Sequence, residues 1–174
     1  MTIAIIVVTA TLVIIAIVVV VGSALPIKHT AQVRASFSRR PEELWAILTD
    51  FPAYPLWRRG LQRVQPASTL GGTSGWKEIN RKGDSITFET LESVTNTRLV
   101  RRIAGENLPF GGTWTIQLVR RDGGTEVSIV EHGEVYNPVF RFVSRYLMGH
   151  HGALTGFLED LGKRVGEKPA IARE

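Results

Sequence analysis

The sequence contains no cysteine, so it has no disulfide and no thiol to act as nucleophile or metal ligand. That agrees with a reducing compartment. Residues 1–27 carry no charged side chain at all. The apolar run that opens the chain therefore lacks the basic flank of a secretory signal peptide. The chain also lacks any basic run interleaved with aromatics. Its net charge of +5, from 21 Lys and Arg against 16 Asp and Glu, is spread over short pairs such as Arg39-Arg40, Arg58-Arg59 and Arg101-Arg102. A nucleic-acid partner is not expected on that pattern. There is no internal repeat, no Ser-His-Asp pattern and no phosphate-cradling glycine loop. The four histidines are His29, His132, His150 and His151. The last two are adjacent, diverge by about 100° on a helix, and do not readily share an ion. No metal and no cofactor is expected.

The long hydrophobic run is the strongest positive signal. Residues 3–21 are almost wholly Ile, Val, Leu, Ala and Thr. About 20 apolar residues span the hydrocarbon core of a bilayer as a helix. No face of this helix is polar, so it is not the amphipathic helix of a soluble domain. Gly22-Ser23-Ala24 offers a small-x-small cleavage pattern, which keeps a cleaved signal peptide as the alternative. Lys28, Arg34, Arg39 and Arg40 follow the run and nothing basic precedes it. The positive-inside rule then gives a single pass through the cell membrane with a cytoplasmic body. The expected division is an anchor over 1–25, a linker over 26–30, one folded domain over 31–168 and a tail over 169–174. The membrane is thus a partner through residues 2–21. A mildly basic body suits an anionic leaflet.

Within the body, Ala31, Val33, Ala35 and Phe37 alternate with polar residues and predict a strand. A helix is expected from Pro41, with Glu42 and Glu43 at its positive end. A proline-broken turn follows over 50–60. Six short strands come next, at about 61–66, 74–80, 85–93, 97–104, 112–120 and 125–135. Leu70-Gly71-Gly72, Lys82-Gly83-Asp84 and Asp122-Gly123-Gly124 mark turns between them. Asn137-Pro138 reads as an N-cap and first turn, opening one long helix to Gly166. Its apolar stripe comprises Val143, Leu147, His150 or His151, Leu154, Leu158, Leu161 and Val165.

Gly149, Gly152 and Gly156 form a second stripe on that helix. An interior glycine costs about 1 kcal/mol against alanine, so three of them ask for a reason. Either a strand approaches very closely, or a cavity lies between helix and sheet. A persistent apolar cavity points to a ligand.

Residues 37–65, with Pro41-Glu42-Glu43-Leu44-Trp45, Thr49-Asp50-Phe51 and Tyr54-Pro55-Leu56-Trp57, resemble the opening of the START/Bet v 1-like (SRPBCC) superfamily, in its polyketide cyclase/dehydrase and lipid-transport group. Residues 111–135 resemble its last hairpin, and residues 137–149 the start of its closing helix. Arg40 departs from the pattern, standing where the family often has a capping Ser, Thr or Asp. The resemblance implies an α+β helix-grip fold. A curved antiparallel sheet of about seven strands wraps a long C-terminal helix, with a hydrophobic cavity between. It also implies a hydrophobic small molecule or lipid as ligand, or a cyclase/aromatase or dehydratase reaction on a polyketide-like substrate. A groove for a partner segment is the third possibility.

Strand alternation selects the inward polar residues. Ile129 and Glu131 share a face with Val127, Gly133 and Val135; Arg101 shares one with Leu99 and Ile103; Trp76 shares one with Glu78 and Asn80. Trp114 and Ile116 face inward together, and Trp57 is placed at the cavity entrance. The expected ligand-binding set is Trp57, Trp76, Arg101, Trp114, Ile116, Ile129, Glu131, Leu147, His150, His151 and Leu154. Glu131, His150 and His151 are the candidates for acid–base chemistry. A carboxylate in an apolar row needs a partner or a proton. A structural or ligand-anchoring role is the other reading of Glu131.

Overall fold

The computed structural model describes residues 2–68, 74–105 and 108–174, so the expected Leu70-Gly71-Gly72 turn lies outside the described residues. Helix α1 (Thr2–Ala24) is followed almost at once by β1 (Lys28–Phe37). Then come α2 (Pro41–Thr49) and a 3-10 turn over Phe51–Leu56. Six strands follow: β2 (Leu61–Ser68), β3 (Ser74–Asn80), β4 (Ser85–Val94), β5 (Arg98–Ile103), β6 (Phe110–Arg121) and β7 (Gly124–Val135). The chain closes with α3 (Pro138–Val143), a π-helical segment Ser144–Met148, α4 (Gly152–Val165) and β8 (Ile171–Arg173).

The strands form one antiparallel sheet in the order β2-β3-β4-β5-β6-β7-β1-β8. Alternation does most of the work. Ala31, Val33, Ala35 and Phe37 on β1 are buried, and so are Val127 and Ile129 on β7. They meet Leu44 and Leu48 of α2 and Leu154, Phe157, Leu158 and Leu161 of α4 in one core. Pro41 and the acidic pair start α2 as expected, but Arg40 supplies no side-chain cap. It pairs instead with Glu43, 2.9 Å away.

The structure departs from the sequence pattern in two places. The closing helix is not continuous. After one α turn the backbone widens into the π segment, and Gly149 ends it with φ +71° and ψ 159°. That region is essentially reserved for glycine, so the break is written into this position. Leu147, expected over the sheet, is consequently 74% exposed, whereas Leu154, Leu158 and Leu161 are fully buried. Second, residues 169–174 are not a tail. Ile171 to Arg173 pair with Ala35 to Val33 as β8. Arg34 and Glu174 are joined by an ion pair.

The α1 helix is long and apolar enough to cross a membrane. Its far end is docked on the body. Gly22 is buried, and a Cβ there would stand 2.0 Å from the Pro138 carbonyl oxygen, so only glycine fits. Arg141 Nη1 also donates to the Leu25 carbonyl at 2.9 Å. Thus α1 and α3 meet beside the helix break.

Candidate ligand-binding cavity

Between the sheet and the broken closing helix lies a cavity of about 520 Å³. Its sheet wall is built by residues that register places side by side. Arg101 faces Trp114 across β5 and β6, and Trp114 faces Glu131 across β6 and β7. Phe88 and Ile103 are likewise paired across β4 and β5, and Glu78 and Ile86 across β3 and β4. All of these line the cavity, with Phe110, Phe140 and Val135. The helical wall is Ser144, Met148, Gly149, His150, Gly152 and Ala153. At the helix break the space reaches the surface, because Met148 and Gly149 are both exposed.

The glycines now have separate explanations. A Cβ at Gly152 or Gly156 would meet no atom within 4 Å. No strand presses on α4 at either position. Gly152 contributes directly to the cavity wall. Gly149 is required by its backbone angle rather than by space.

The floor carries a charged cluster on aromatic rings. Arg101 is 2% exposed, with its guanidinium 4.4 Å from the Trp114 ring centre and 5.1 Å from that of Phe157. Arg58 approaches Phe157 at 4.5 Å. One buried ring thus carries two guanidinium groups, which is favourable cation–π geometry for each. Arg101 Nη1 is 3.6 Å from Glu78 Oε1, an ion pair without a hydrogen bond. The same Glu78 oxygen accepts from Trp76 Nε1 at 3.3 Å. Burial and the neighbouring Arg101 pull the Arg58 guanidinium below its usual range. The next residue, Arg59, points outward and clamps α4. Its backbone N–H and Nε donate to Asp160 at 2.9 and 2.6 Å.

Glu131 faces this cluster. Burial pushes its carboxyl above the usual carboxylate range, while the Trp114 indole, Arg101 and His151 oppose the shift. Among the described residues no hydrogen bond joins Glu131 to a histidine. His150 stacks on His29 instead, with ring centres 3.8 Å apart. His151 Nε2 lies 2.9 Å from the Glu174 carbonyl, outside the cavity.

Of the residues singled out from sequence, the cavity brings together Arg101, Trp114, Glu131 and His150. Ile116, Ile129 and Leu154 lie in the core behind it. Trp76 stacks between Phe51 and Phe88, one layer back. Trp57 packs edge-on to Tyr54 and Phe157 rather than at the entrance. Leu147 and His151 are turned away by the helix break. Sequence reasoning did not place Arg58, Phe88, Phe110, Phe140 and His29 at the site. Phe88 and His29 could have been found by continuing the alternation of their strands. Arg58 had no such signal.

Comparisons with known proteins agree with this architecture. The structure of a conserved protein from Geobacillus kaustophilus superposes with a TM-score of 0.65 at 16% identity, covering 82% of this chain and 99% of that one. A START superfamily protein from Mycobacterium smegmatis gives 0.59 at 14% identity, covering 80% and 97%. A solution structure from Thermobifida fusca gives 0.59 at 17% identity, covering 79% and 93%. At these identities the likeness shows the fold. A comparison with curated proteins finds no match. Residues 28–166 match the model of the polyketide cyclase / dehydrase and lipid transport family, and the chain belongs to that family.

Proposed function

We propose that this protein is a membrane-tethered binding module that holds a hydrophobic small molecule or lipid between its sheet and its broken closing helix. The observation that carries the reading is the cavity. Its volume of about 520 Å³ is in the range of small-molecule sites, and Phe88, Phe110, Phe140, Trp114 and Met148 line it. Tethering suits such a ligand. The apolar α1 is docked on α3, so the cavity opening stands beside the end of the anchor. Lys28, Arg141 and Arg145 surround that junction. Each basic residue near an anionic leaflet contributes about 1 kcal/mol, which favours a cytoplasmic body. A ligand that partitions into the bilayer then has a short path to its site.

The test uses the full chain in phosphatidylcholine nanodiscs, titrated with the neutral apolar dye Nile red. Saturable one-to-one binding above empty nanodiscs is expected, and Gly152→Phe should abolish it without lowering the melting temperature. Absence of saturable binding to the unsubstituted chain would overturn the reading.

The raised Glu131 carboxyl inside the cavity favours a second reading, a cyclase/aromatase or dehydratase-type enzyme with Glu131 as general acid. It ranks second because no base is hydrogen-bonded to Glu131 among the described residues. Turnover of a polyketide-like substrate that Glu131→Gln abolishes would promote it.

A further inference from the structure

The cavity floor holds more buried hydrogen-bond donors than it can satisfy. Arg101 Nε and Nη1 are fully buried with no hydrogen-bond partner, and the same holds for Arg58 Nε and Nη1. Both residues line the cavity. An unsatisfied buried donor is costly, and a charged one more so. Guanidinium groups present their donors in a planar fork that matches an oxyanion. Among the described residues no acceptor reaches these donors. Glu78 approaches Arg101 only at 3.6 Å and is engaged by Trp76, and no ion pair to Arg58 is present among the described residues. Phe88, Phe110, Phe140 and Met148 give the wall an apolar stretch beyond this cluster.

We propose that the occupant is an amphiphile with a terminal carboxylate, seated head-down with the acid between Arg58 and Arg101 and the apolar chain directed to the opening at Met148 and Gly149. This rests on the binding reading above and sharpens it to a ligand class. The carboxylate would accept from an unsatisfied N–H of each guanidinium, one oxygen to Arg58 and one to Arg101. Phe157, buried beneath both guanidiniums, holds them at a fixed height. Of the wall carboxylates Glu78, Glu131 and Glu134, Glu131 is register neighbour to Trp114 and opposes an incoming anion without being ion-paired to Arg101. Removing its charge therefore strengthens the hold on an acid.

The experiment compares dansyl-labelled undecanoic acid with its methyl ester, on the full chain in phosphatidylcholine nanodiscs, with empty nanodiscs subtracted. Acid and ester share shape and apolar surface and differ only at the head. The acid should bind at least about tenfold tighter than the ester, the scale of one charge-assisted hydrogen bond. Arg101→Gln should bring the acid-to-ester affinity ratio close to one. If Arg101→Gln fails to fold, Arg58→Gln serves the same purpose, since Arg58 is only half-buried. Glu131→Gln should tighten the acid and not the ester. Equal binding of acid and ester by the unsubstituted chain would overturn the acid-head proposal while leaving the binding reading intact. Failure of both probes would overturn the two together.

Discussion

Substituting alanine for Gly156 and for Gly149 separates the two reasons a helix has for carrying glycine. At Gly156, in the interior of α4, an added Cβ meets nothing within 4 Å. The substitution brings no clash and removes the excess unfolded-state freedom of glycine, so Gly156→Ala should stabilise by about 1 kcal/mol. For a domain of this size that is a rise of about 3 °C in melting temperature. Gly149 also has open space around it, but its φ of +71° and ψ of 159° belong to a region closed to side chains. Gly149→Ala should therefore destabilise by about 1–3 kcal/mol although nothing is struck. The assay is thermal unfolding of both variants in the same nanodiscs, followed by near-ultraviolet circular dichroism. If Gly156→Ala lowers the melting temperature, a strand presses on α4 there, and glycine-permitted close packing replaces open space as the explanation. If Gly149→Ala is neutral, the closing helix runs unbroken in solution and the cavity opening described above does not exist.

Asp160→Ala should cost about 2–3 kcal/mol, because a buried carboxylate would vanish from under two Arg59 donors; urea unfolding reads it, and a neutral result would mean that Arg59 does not clamp α4. His29 titrates at about 4 in the fold against its ordinary 6.5, first through burial and then through His150. The unfolded chain takes the proton first, so this contribution to stability is complete above pH 6.5 and is lost as pH falls toward 4. The full gap corresponds to ~3 kcal/mol, reduced to about 1–2 by the partial exposure of the ring; His29→Gln should therefore flatten the fall in melting temperature between pH 7 and pH 4.5, and an unchanged slope would contradict it. Gly22→Leu should pry α1 off Pro138, so a disulfide engineered between the end of α1 and α3 should form in the parent and fail in this variant.

Much of the fold was legible because it rests on period-two alternation. Val127, Ile129, Glu131 and Gly133 were assigned to one face of β7 from sequence, and the strand places them there. Register then carries Arg101, Trp114 and Glu131 to one wall, a meeting of three strands that no single strand's pattern contains. Arg58 escaped notice because doublets such as Arg58-Arg59 read as solvated turns. Only the geometry after the 3-10 turn sends one guanidinium inward and its neighbour out to Asp160. The helix break escaped for a related reason. Leucine spacing continues across Gly149, and a positive φ leaves no mark in hydrophobic periodicity. β8 is three residues long, too short for alternation to register, and it exists through pairing with β1.

The most direct measurement is native mass spectrometry of the full chain, purified gently from membranes, followed by organic extraction and identification of what it carried. The account predicts one hydrophobic passenger per chain, released on unfolding and absent from Gly152→Phe. A chain that emerges empty and then takes up neither Nile red nor the dansyl acid would contradict it.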